Sequence, residues 1–121
     1  MAVQHIQPIR LSVGGKSSSK YIYAKQGDSI SRFALVTLIS GDKQLIPEDG
    51  ASAEIRAILP DDSKITAEAT ITDEGRILAE ITKDMLSQNG LVKADIAIHG
   101  TSGEVLSTEV FNIQVQKAPT F

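Results

Sequence analysis

The sequence predicts an all-β fold, a single antiparallel β-sandwich or barrel domain with one short helical turn near residues 82–88. Three observations carry this reading. Apolar residues recur with period two along most of the chain. Clusters of Gly, Pro, Asp and Asn separate the alternating segments at intervals of about 8–14 residues, the rhythm of hairpin-connected strands. The linkers are too short for repeated β-α-β crossovers, which need about a dozen residues or more.

Residues 1–25 are expected as a leader that packs on the domain. Within it Ile9, Leu11 and Val13 alternate, and Pro8, lacking an amide hydrogen, restricts their strand to an edge or a start. Gly14-Gly15-Lys16-Ser17-Ser18-Ser19 is expected as a flexible loop, after which Tyr21-Ile22-Tyr23-Ala24 resumes extended structure. The sandwich core is expected over residues 26–116. Its first strand, Phe33 to Leu38, is continuously apolar and suits a position buried on both faces.

Cleaner alternation follows. Ala53, Ile55, Ala57 and Leu59 oppose Glu54 and Arg56, and Ile65, Ala67, Ala69 and Ile71 oppose Lys64, Thr66, Glu68 and Thr70. Ile77, Ala79 and Ile81 form the next row. Thr82 is a candidate N-cap, Asp84 suits the positive end of a helical turn, and Asn89-Gly90 ends it. Met85 and Leu86 would then close one end of the core. Val92, Ala94, Ile96 and Ile98, and later Phe111, Ile113 and Val115, complete the strands. Residues 117–121, with Pro119, read as an exit linker.

Composition narrows the function. The chain has 121 residues, 12 basic and 15 acidic, for a formal net charge of −3. Such a balance argues against nucleic acid and anionic membranes as partners, and no apolar run approaches the roughly 20 residues of a membrane span. The absence of cysteine removes disulfides, thiolate metal sites and cysteine nucleophiles together.

Candidate chemistry is sparse. His5 lies in the leader, and His99 stands on the polar side of a strand; both read as solvent-facing. Ser63-Lys64 is a poor dyad because adjacent strand residues point to opposite faces. The acidic pairs Glu48-Asp49, Asp61-Asp62 and Asp73-Glu74 lack a D-x-D-x-D-G calcium loop and read as turn chemistry. Gly14-Gly15-Lys16-Ser17 lacks the spacing of a phosphate loop. No enzyme, metal or cofactor is expected.

One stretch has a distinctive order of motifs. Asp73-Glu74-Gly75 leads into the alternating Ile77 to Ile81 strand, then Thr82-Lys83-Asp84-Met85-Leu86, then Asn89-Gly90 and the Val92 to Ile98 strand. Gly103-Glu104-Val105-Leu106-Ser107-Thr108 and the strand Phe111-Asn112-Ile113-Gln114-Val115 close it, and Gln26-Gly27-Asp28 with Arg32-Phe33 fits upstream. This resembles the N-terminal domain of the upper baseplate protein family of tailed phages infecting Gram-positive bacteria, over most of residues 20–116. Leu45 to Gly50 departs from the D-L-x-G-A run of that family.

The resemblance implies an Ig-like β-sandwich in the virion baseplate, attached to the distal tail protein and self-associating there. It also implies a following region that carries receptor-binding proteins, beginning near Ala118-Pro119. Apolar residues expected at a partner interface are Ile6, Ile9 and Leu11 in the leader, Tyr21 and Tyr23, and Phe121. An edge strand or the leader is expected to add to a neighbouring sheet. The alternative is a host-surface saccharide-binding module resting on Tyr21 and Tyr23, although side-by-side strand residues are not expected to form one platform.

Overall fold

A computed structural model describes residues 3–13 and 20–118. The expected flexible loop at 14–19, and Pro119 and Phe121 of the exit linker, lie outside those residues. Ten strands follow in order: β1 (His5–Ser12), β2 (Tyr21–Lys25), β3 (Arg32–Ser40), β4 (Lys43–Gln44), β5 (Ser52–Ile58), β6 (Lys64–Ile71), β7 (Ile77–Glu80), β8 (Gly90–His99), β9 (Val105–Ser107) and β10 (Phe111–Gln116).

They make two layers. The first sheet holds β1, β3 and β7 with the short β4 on β3; the second holds β5, β8, β10 and β2 with β9 on β8. Strand β6 joins them, pairing with β5 through residues 64–69 and with β7 through Thr70 and Ile71. The inward rows interdigitate as one core: Leu11, Val36, Leu38 and Ile77 from the first sheet, and Ile55, Val92, Ile96, Phe111 and Ile113 from the second. The period-two rows of the sequence are these inward rows.

Most pairs are antiparallel, as expected, but both leader strands pair in parallel: β1 with β3 and β2 with β10. The cause is a change of sheet. After β1 the chain crosses at Val13, which bridges to Thr108 of the second sheet, and returns as β2 along the far edge. A parallel neighbour needs such a long crossover, and the path from β1 to β3 through β2 supplies it.

Residues 82–88 form one closed turn with no longer helix. The Leu86 amide donates to Thr82 O at 3.2 Å, the Thr82 hydroxyl accepts from the Met85 amide at 3.4 Å, and Met85 and Leu86 are fully buried beneath it. In the β6–β7 turn, Gly75 sits at φ 78°, and a Cβ there would lie 2.7 Å from Ile46 Cγ2.

Candidate protein–protein interface

The alternation that fills the core also fixes what each sheet shows outward, and the two outward faces differ. On the first sheet, Pro8, Leu35 and Leu78 stand side by side across three strands, and Ile6 and Phe33 occupy the next row with Glu80. Ile39 lies further along β3. Ile6 and Pro8 are exposed, while Phe33, Leu35, Ile39 and Leu78 are half-buried by their neighbours in the sheet. The expectation that β3 is buried on both faces is therefore corrected: only Ala34, Val36 and Leu38 are buried. The outward half of its apolar run is an unpartnered face.

On the second sheet the centre of the outward face is charged, with apolar Ile58 and the two tyrosines further out. Arg56 and Asp95, opposite each other on β5 and β8, form a bidentate pair at 2.8 and 2.7 Å, and Arg56 also donates to Ser107 Oγ at 2.9 Å. The hydrogen bond to Asp95 raises the Arg56 pKa further, so the guanidinium stays charged. His99 Nε2 lies 3.1 Å from Glu54 Oε2 one row away. Ile58 and Val110 line a shallow depression of about 420 Å³ flanked by Lys64 and Lys93.

The edges differ as well. The His5 amide donates to Ser31 O just before β3 and the Val13 amide to Ile39 O within it, so by strand alternation Ile6, Pro8, Arg10 and Ser12 turn their backbone groups to the free side of β1. That side is closed in part. Pro8 has no N–H, the Arg10 carbonyl accepts from Lys20 Nζ, and Ser12 exchanges bonds at 2.7 Å with the Glu109 carboxylate and amide. Lys20 and Glu109 are themselves 3.7 Å apart. A strand added at β1 would meet no donor at Pro8 and groups already bonded at Ser12.

At β2 the opposite holds. The Asn112 amide donates to Lys20 O and the Gln26 amide to Gln116 O, so the even positions face β10 and Tyr21, Tyr23 and Lys25 face away. A turn closes Lys25, whose carbonyl accepts from the Asp28 amide at 3.2 Å. Tyr21 and Tyr23 have no backbone partner among the described residues.

The interface residues expected from sequence divide accordingly. Leu11 is 0% exposed and Ile9 packs against the core, so the inward phase of β1 takes both away from any partner. Ile6 is 45% exposed on the apolar face. Tyr21 and Tyr23, on the second sheet, are 45% and 60% exposed, and their rings stack with centroids 6.2 Å apart at 19°. Tyr21 and Tyr23 thus form one unit, contrary to expectation, but each ring gives one face to the other. Phe33, Leu35 and Leu78 were missed because an uninterrupted apolar run reads as wholly buried. Ile30, 71% exposed and held at φ 55°, carried no sequence signal.

The residues considered for chemistry stay apart. His5 Nδ1 lies 3.4 Å from Arg32 Nη1, far along the chain from the His99–Glu54 pair. Asp61 caps its own turn, accepting from the Ser63 amide at 2.9 Å; hydrogen bonds from Ser63 hold its pKa below the usual carboxylate value. Among the described residues no group of three or more His, Asp or Glu is placed to hold a metal.

The fold is a β-sandwich whose two outward faces and two outer edges differ from one another. Residues 5–120 match the family model of the BppU N-terminal domain, and the chain belongs to that family. It is a structural protein of the phage baseplate. The N-terminal domain of phage TP901-1 ORF48 has a similar fold, with a TM-score of 0.70 at 15% identity, covering 93% of this chain and 98% of that one. No curated protein sequence matches.

Proposed function

We propose that the outward face of the first sheet is the surface by which this domain docks on the distal tail protein of the baseplate. The observation that carries the reading is the contrast between faces. Ile6, Pro8, Phe33, Leu35 and Leu78 form a contiguous apolar surface on one side, and the centre of the other carries the Arg56–Asp95 ion pair and the His99–Glu54 contact. Burying the apolar face against a partner removes that surface from water, whereas burying Arg56–Asp95 or His99–Glu54 costs desolvation. The role is structural rather than catalytic. A region following this domain carries the receptor-binding proteins, so that docking fixes their place in the virion.

The test is mixing with purified distal tail protein, followed by light scattering. Complex formation is expected for the native chain and for Asp95→Ala, and Leu35→Asp is expected to weaken it by about 100-fold, as for a buried hot spot. Equal binding by native chain and Leu35→Asp would remove the first sheet as the docking face.

A further inference from the structure

Among the described residues the outer edge of β2 is short, open and self-complementary. Tyr21 and Tyr23 each present one amide hydrogen and one carbonyl oxygen outward, on the side away from β10. Only an extended strand meets donors and acceptors at that alternation. The ladder has a built-in end, because Lys25 is already closed by the Asp28 turn.

A second copy of β2 fits this edge in one register. With two β2 strands antiparallel and Ile22 opposite Ile22 of the second copy, Tyr21 of each faces Tyr23 of the other. The odd positions are then the hydrogen-bonded pairs, so every open amide and carbonyl of Tyr21 and Tyr23 is satisfied across a two-fold axis. The Tyr21 and Tyr23 rings stand on the same outward face, so the two stacked pairs become one four-ring cluster. Ile22 stays in the core of its own domain, 3% exposed, and needs no rearrangement.

We infer that two copies of this domain pair edge to edge through β2, joining their second sheets into one continuous sheet. The pairing uses the edge of the second sheet and leaves the apolar face of the first sheet free, so it is compatible with docking and independent of it. With so few backbone bonds the pair is weak in dilute solution and fills when copies are held close together.

The experiment is sedimentation of the native chain from about 10 μM to about 1 mM, with amide exchange measured at both ends of the range. The expected result is conversion of monomer to dimer, with exchange at Tyr21 and Tyr23 slowed about tenfold and exchange at Arg10 unchanged. Tyr23→Pro removes a donor that points away from the domain's own ladder, and is expected to keep the chain monomeric. The double substitution Tyr21→Lys and Tyr23→Lys keeps every backbone group but gathers four cations at the axis, and is expected to do the same. A chain that stays monomeric at about 1 mM overturns the inference. So does a dimer that survives both variants, or one whose protection rises at Phe33 and Leu35 instead. Hub binding by Tyr23→Pro separates this outcome from failure of the docking face.

Discussion

The two outward faces of the sandwich are made by the same rule and used differently. On β3, Val36 and Leu38 turn into the core while Phe33 and Leu35 turn out; on β5, Ile55 and Ala57 turn in while Glu54 and Arg56 turn out. The inward phase decides that a sandwich forms. The outward phase decides what each side can hold: β3 keeps an apolar row there, where β5 places an ion pair.

The largest effect that would sharpen this contrast lies within one strand. Leu38→Ala, at an inward position, is expected to destabilise by about 2–5 kcal/mol, and Leu35→Ala, at an outward one, by about 1 kcal/mol or less. Chemical denaturation of both variants measures the difference, and equal losses would mean that Leu35 is core. Next, Asp95→Ala should cost about 1 kcal/mol, because Arg56 is 40% exposed and can rehydrate once alone. That loss should shrink in high salt, whereas the Leu35→Ala loss should not.

A smaller effect concerns the end of the molecule near the apolar face. A β-branched residue at positive φ is strained, so Ile30→Asn, which tolerates that backbone, should raise stability by about 1 kcal/mol. A fall in the melting midpoint would show that the Ile30 side chain does more than its exposure suggests. The smallest effect is at the β5–β6 turn. Since the Asp61 pKa is depressed in the fold, its contribution is present above the unfolded carboxylate value and fades as pH falls through the folded one. Ser63→Ala should move the Asp61 titration upward in an NMR pH series.

Much of this architecture was legible because alternation is local. Rows such as Val92, Ala94, Ile96 and Ile98 announce both a strand and its buried side. What escaped was nonlocal. Nothing in the sequence near Pro8 tells that β1 runs parallel to β3, because that depends on where the chain goes between Val13 and Arg32. Leu11 and Ile9 were read as surface contacts because the phase of an edge strand is set by its neighbour; pairing with β3 turned them inward. Tyr21 and Tyr23 were noticed, yet their stacked geometry and open backbone edge needed the partner strand β10 to become visible.

The way the two sheet margins end has a consequence for how many molecules can join. A sheet open at both margins propagates, each newcomer offering the next a place to add, and ends as a fibre. Here Pro8, Lys20 and Glu109 close part of one margin, and the Asp28 turn trims the other to two residues. Growth by strand addition through β2 would therefore stop after a single step, because a two-fold pairing uses up that edge in both copies.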